Sequence, residues 1–362
     1  MKILYAIQGT GNGHLSRARE IIPILQQKGE LDLLISGTQA DVDLPYPVKY
    51  RFKGLCFVFG KKGGVDVMAT YRKGNLKRLY EEIKSLPVEE YDLIINDFEP
   101  VSAWACRRKH KYCVGLSHQA AVIHKNAPKP KKQDLIGKAI LNHYAPVSNA
   151  YGFHFAKYGE KIFTPVIRSE IREPAAELKP HYTVYLPSYS DKRIIRVLRE
   201  VKNIEWKVFS KHTKDVYREK NIYICPVEND AFIKSLLSCT GILCGAGFET
   251  PAEALYLKKK LLVIPMKGQY EQQCNAAALG TLGVPVLKSL KIKYLDKIRS
   301  WTERDQSVPV IYPDITENII DRVIRENPVK ISSAMKPAQD DISSAKKLKE
   351  KSLEKILKQS AD

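Results

Sequence analysis

The sequence predicts an α/β chain built as two Rossmann-like halves, and three observations carry that expectation. Short apolar runs without polar alternation recur through the chain, as buried parallel strands require. Segments of helical spacing separate them. Each half also contains a glycine-rich loop between a strand and a helix: Gly9-Thr10-Gly11-Asn12-Gly13 and Gly245-Ala246-Gly247.

Taken in order, residues 3–7 (ILYAI) read as the first strand and His14 to Lys28 as a helix. Leu15, Ala18, Ile21, Ile22 and Leu25 share one face of it, and Gly29 stops it. Strands are expected at 31–36, 92–96 and 112–117, with a helix over 101–109. The charged segment 171–180, with Pro174 and Pro180 and no periodicity, reads as a linker. Alternation then restarts: strands at 182–186, 205–209, 241–243 and 261–265, and helices over 192–202, 230–237, 249–257 and 271–279. The expected organisation is an N-terminal domain over 1–170, a linker over 171–180 and a second domain over 181–315. A closing helix over 316–330 and a basic, partly disordered tail over 331–362 follow.

The 362 residues carry 59 Lys and Arg against 40 Asp and Glu, a net charge of +19, with 44% hydrophobic residues. This composition excludes collagen-like, disulfide-scaffold and wholly disordered chains. Seven scattered cysteines without a Cys-x-x-Cys pair argue for a reducing cytoplasm. No apolar run reaches the roughly 20 residues that span a bilayer. Much of the positive charge lies in two windows. Residues 105–138 hold nine Lys and Arg against Asp134, and residues 60–79 hold six against Asp66. Such windows suit an anionic membrane surface or a phosphorylated ligand. No nucleic-acid-binding motif is visible, so nucleic acid is not expected as a partner.

Glycine loops opening onto helix N-termini favour phosphate, because backbone N–H groups and the helix dipole converge there. The first loop lacks the G-x-G-x-x-G dinucleotide spacing. It does place His14 at a helix start, where a neutral imidazole can take a proton from a hydroxyl. Asp97 and Glu99, after the strand DLIIN, are competing carboxylates at the C-terminal end of a parallel strand.

Residues 244–276, CGAGFETPAEALYLKKKLLVIPMKGQYEQQCNA, join a glycine loop, a helix bearing Thr250 and Glu253, a proline-ended strand and the run Glu271-Gln272-x-x-Asn275-Ala276. This pattern resembles the nucleotide-sugar donor signature of GT-B glycosyltransferases, in particular MurG-like and UDP-glycosyltransferase-like families. The Gly-His start and the segment Thr164-Pro165-Val166-Ile167-Arg168 resemble further family features, the latter with one extra residue before the arginine. The resemblance spans roughly residues 1–325 and implies two domains facing each other across a cleft, with the N-terminal one on the acceptor side.

The resemblance further implies that Glu253 accepts hydrogen bonds from the ribose diol and that Gln272 and Glu271 hold the sugar. Gly245, Ala246, Gly247 and the N–H groups of Phe248 to Thr250 would cradle the diphosphate, with Arg168 as its cation. Gly9, Gly11, Asn12 and Gly13 would form an acceptor or phosphate loop. It implies inverting transfer from a nucleotide sugar, expected to be a UDP-sugar, to a hydroxyl acceptor of unknown identity, for which the basic windows suit a lipid-linked or phosphorylated molecule. His14 is the expected base. No metal and no separate cofactor is expected, since neither a D-x-D pair nor a His/Cys cluster with ligand spacing occurs. The expected location is the cytoplasm, at the inner face of the membrane. A non-hydrolysing nucleotide-sugar 2-epimerase, or a non-catalytic nucleotide-sugar-binding protein, is the alternative; the absence of a G-T-R-P-E-like start disfavours the epimerase.

Overall fold

The computed structural model describes residues 1–37, 44–55, 76–132, 134–173, 177–304 and 307–327. The tail over 331–362 and most of the basic window over 60–79 lie outside the described residues.

Two sheets organise these residues. The first holds β1 (Lys2–Gln8), β2 (Glu30–Ser36), β3 (Tyr50–Phe52), β4 (Leu93–Asp97), β5 (Val114–Ser117), β6 (Asn149–Phe153) and β7 (Ile162–Phe163). Its order is β3-β2-β1-β4-β5-β6-β7, parallel throughout. The second holds β8 (His181–Tyr185), β9 (Glu205–Ser210), β10 (Tyr217–Glu219), β11 (Ile222–Pro226), β12 (Gly241–Gly245) and β13 (Lys260–Ile264). Its order is β10-β11-β9-β8-β12-β13, parallel except for the β10–β11 edge pair. Both sheets belong to one compact unit.

The continuous apolar run of β1 follows from burial on both faces. Ile3, Tyr5 and Ile7 join the core that includes Leu15, Ala18, Ile22 and Leu25 of the Asn12–Lys28 helix. Leu4 and Ala6 join Leu34, Ile94, Ala105 and Cys106 on the other face. Each sheet has a point where strand order reverses: between β1 and β4 in the first, between β8 and β12 in the second. Crevices open at the carboxyl ends of strands at such points. Ile7 pairs in register with Asp97, so the loop after β1 begins beside the end of β4.

The expected linker starts inside the fold. Ile171 is buried within a short helix, Ser169–Arg172, and Arg172 donates to the Tyr312 carbonyl. The Thr316–Glu326 helix returns to the first half, packing on the Asn12–Lys28 helix with Lys28 Nζ 2.7 Å from Asp321. Asn327 donates to the Tyr151 hydroxyl of β6. The six described cysteines are free and buried.

Candidate active site

A cavity of about 550 Å³ opens at the carboxyl ends of both sheets and is lined from both halves. From the first half come Gly11, Asn12, Gly13, His14, Arg17 and Gln119. From the second come Gly247, Phe248, Glu249, Thr250, Glu253, Glu271 and Gln272. A smaller recess of about 100 Å³ adjoins it, bordered by Pro187, Gly245, Ile264 and Met266.

His14 sits in the first turn of the Asn12–Lys28 helix, with Nδ1 2.9 Å from Asp97 Oδ1. A carboxylate only accepts, so the Asp97 contact favours the proton on Nδ1, where Arg17 Nη2 also lies 3.2 Å away, and leaves Nε2 as the acceptor. Nε2 has Gln119 Nε2 3.4 Å away at the cavity wall. Asp97 is therefore the partner of His14 and not its competitor. Arg17 Nη2 holds both Asp97 oxygens, at 2.8 and 2.7 Å. Burial alone would raise the Asp97 carboxyl, but Arg17, with His14, holds it below the ordinary carboxylate value.

Glu99 does not face the cavity, which overturns its expected catalytic role. It is fully buried and caps the Pro100–Arg108 helix, its two oxygens accepting from Val101 N and Ser102 N at 2.6 Å each. Burial raises its carboxyl, and the two N–H donors work against that shift. Glu99-Pro100 is a cap followed by proline at the first helical position, a signature visible in the sequence.

Arg168 also departs from expectation. Its Nε and Nη2 fork Glu253 at 2.6 and 2.9 Å, so the two residues form one buried bidentate pair. The guanidinium is committed to orienting Glu253, one turn into the Glu249–Tyr256 helix, instead of standing free for a diphosphate. Each Glu253 oxygen retains a second lone pair for a hydroxyl donor.

Within the loops the glycines divide by function. A Cβ at Gly9 would stand 2.8 Å from Ile35, and its N–H donates to the Ser36 carbonyl, so Gly9 serves the fold and does not line the cavity. Gly11 has φ +100° with open space around it. Gly247 likewise has nothing within 4 Å of a Cβ position, so its backbone is bare to the cavity. Ala246 is buried beneath the loop, and its carbonyl accepts from Asn275 Nδ2 at 3.2 Å. That bond ties the Tyr270–Thr281 helix to the glycine loop and gives the asparagine of the motif a physical role. Gln272 Oε1 accepts from Met266 N at 2.9 Å, and Glu271 Oε2 accepts from Gln119 Nε2 at 3.0 Å.

Four residues escaped the sequence reading. Arg17 and Glu249 form an ion pair between the halves. His118 donates from Nδ1 to the Phe153 carbonyl, lies 2.9 Å from Asn275 Oδ1 and stacks on Phe248 at 3.9 Å. Gln119 links His14 to Glu271. Of these only Glu249, an acidic residue in the first turn after a glycine loop, carried a local signal. Among the described residues no group of three or more His, Cys, Asp and Glu could hold a metal ion.

Two Rossmann-like halves with a shared cavity are the GT-B arrangement, and solved structures share that fold. MurG of Acinetobacter baumannii matches with a TM-score of 0.53 at 15% identity, over 90% of this chain and 99% of that one. Arabidopsis thaliana UGT89C1 complexed with UDP matches at 0.54 and 14%, over 90% and 94%. Phytolacca americana UGT2, complexed with UDP-2-fluoro-glucose and pterostilbene, matches at 0.56 and 12%, over 90% and 98%. No curated protein sequence matches the chain. The model of glycosyl transferase family 1 matches residues 1–301, and the chain belongs to that family. It is a nucleotide-sugar-dependent glycosyltransferase, and the epimerase alternative is not favoured.

Proposed function

We propose that the chain transfers a hexosyl group from a UDP-sugar to a hydroxyl acceptor, with inversion and without a metal. The observation that carries this reading is the convergence of His14–Asp97 and Glu253, Glu271 and Gln272 on one cavity. His14 Nε2 takes the acceptor proton while Asp97 stabilises the imidazolium that forms. The N–H groups around Gly247 and the first turn of the Glu249–Tyr256 helix meet the charge developing on the departing diphosphate. Glu253, held by Arg168, receives the ribose hydroxyls, and Gln272 and Glu271 receive those of the sugar. The UDP present in two of the structural neighbours supports uridine as the nucleoside.

The basic window over 105–138 supports an acceptor presented at an anionic lipid surface on the cytoplasmic side. Leu135 and Ile136 are 73% and 54% exposed there, beside Lys131, Lys132 and Lys138. Exposed apolar side chains flanked in sequence by lysines are the composition of a peripheral membrane contact. No helix among the described residues is long and apolar enough to cross a membrane.

A screen of UDP-, GDP- and dTDP-sugars by thermal shift and product release, with EDTA present, tests the chemistry. Stabilisation by UDP-sugars and turnover lost in His14→Ala but not in EDTA are expected. Wild-type turnover by His14→Ala overturns the assignment of the base. Flotation with phosphatidylglycerol vesicles at low salt tests the surface, and absence of binding overturns that part.

A further inference from the structure

Glu249 has no part in the chemistry proposed above, yet its position in the cavity is unusual. It is the first residue of the Glu249–Tyr256 helix, and its side chain crosses from the donor half to Arg17 Nη1. Arg17 is only 2% exposed, and its other terminal nitrogen chelates Asp97, which in turn holds His14. The four side chains thus form one continuous chain: Glu249, Arg17, Asp97, His14. It starts on the donor loop and ends at the imidazole.

Three features set this chain apart from an incidental ion pair. A guanidinium held through one nitrogen can turn about that contact, whereas holding both terminal nitrogens fixes its plane. Arg17 is held at Nη2 by the acceptor half and at Nη1 by the donor half. The second feature is the glycine beside it. A Cβ at Gly13 would stand 3.0 Å from Glu249 Cγ, so the bare backbone next to His14 leaves room for the glutamate stem. The third is energetic. Burial pushes the Glu249 carboxyl up to about 7 despite Arg17, so its contact with Arg17 is made against a real desolvation cost and both charge states are populated near neutral pH. Carboxyls perturbed in this way are concentrated at functional sites.

We propose that Glu249 is a positioning residue for the base: acting through Arg17, it locks the Asp97 carboxylate and the His14 ring in register only while the donor half is docked. This inference rests on the reading of His14 as the base. Its consequence is a coupling of cleft closure to base alignment. In an open cleft Arg17 loses its second anchor and His14 loses its fixed aim, which protects a bound donor from attack by water.

The test is a double-mutant comparison read as kcat for transfer, with UDP affinity by calorimetry and melting temperature alongside. Glu249→Met keeps the side-chain length and removes the acceptor. It should lower kcat about 10- to 100-fold, the cost of a reacting group slightly misplaced, and leave UDP affinity unchanged, with cooperative melting as the check that the variant is folded. Glu249→Gln, which still accepts one hydrogen bond from Arg17, should recover part of that loss. In a His14→Ala background Glu249→Met should change the residual rate by less than about twofold, the range expected for uncoupled sites. Equal losses in both backgrounds, unchanged kcat, or a parallel fall in UDP affinity would each overturn the proposal. Wild-type turnover by His14→Ala itself instead removes the base assignment, so the two failures are distinguishable.

Discussion

Replacing Asp97 by asparagine is the sharpest test of the dyad. The carboxylate makes three contacts: Oδ1 with His14 Nδ1 at 2.9 Å and Arg17 Nη2 at 2.8 Å, and Oδ2 with Arg17 Nη2 at 2.7 Å. An amide offers one acceptor and one donor. In either orientation its N–H is pressed against an Arg17 donor, so the guanidinium shifts and the His14 tautomer is no longer fixed. The larger loss is electrostatic. As the acceptor proton moves to Nε2, the wild type forms an imidazolium with its charge centre about 4 Å from that of the carboxylate, and the neutral amide supplies no such partner. At an effective dielectric of about 20 this interaction is worth about 4 kcal/mol, or about a 10³-fold loss of kcat. That lies within the roughly 10²–10⁴-fold range of general-base catalysis. The assay is transfer under donor saturation, with UDP affinity measured separately and expected to hold. A loss below about tenfold would refute the reasoning, because it would mean that Asp97 does not see the charge forming on His14.

Three further outcomes follow from the same geometry. Arg168→Ala leaves Glu253 buried without its partner and should cost about 3–5 kcal/mol in urea unfolding, while Arg168→Met with Glu253→Met should restore most of it; equal stability of single variant and wild type would contradict the buried pair. The folded-state carboxyl of Glu249, pushed up to about 7 by burial, binds its proton more tightly than an unfolded glutamate of ordinary value 4.5. Folding stability of the wild type should therefore fall as pH rises from 4.5 to 7 and then level off. Relative to Glu249→Gln, the deficit should be on the order of 3 kcal/mol at pH 8 and absent at pH 4, as read by urea titration across pH. Gly247→Ala places a methyl in open cavity, so melting should be unchanged while UDP binds about tenfold more weakly; undiminished affinity would show that the donor does not approach this loop.

The strands buried on both faces were readable because such strands leave continuous apolar runs, as ILYAI and LIIND do. Five strands were not: β3, β6, β7, β10 and β11. Residues 217–219 are exposed along their whole length, and the Ile162–Phe163 strand is two residues long, so neither leaves a pattern. The glycine loops and the motif helix were legible because their chemistry is local. Pairings across the chain were not: Arg168 and Glu253 are 85 positions apart, and a free arginine and a paired one read alike. Asp97 and Glu99 illustrate the limit most clearly. Asp97 ends the strand and Glu99 follows two residues later, yet the backbone turns one toward His14 and the other into a helix cap, and only the following proline distinguished them.

The return of the Thr316–Glu326 helix to the first half has a consequence for synthesis. Lys28 and Glu317 meet across 289 positions, and Ile319, Ile320 and Val323 complete the core shared with the Asn12–Lys28 helix. At about 5–20 residues per second, a ribosome takes about 15–60 s to supply that cover. Throughout that interval the nascent first half carries an unfinished apolar groove while the donor half is being made. The last helix therefore acts as a suture, closed only after both halves exist, and a chain halted before residue 316 would leave the tunnel with its acceptor half still open.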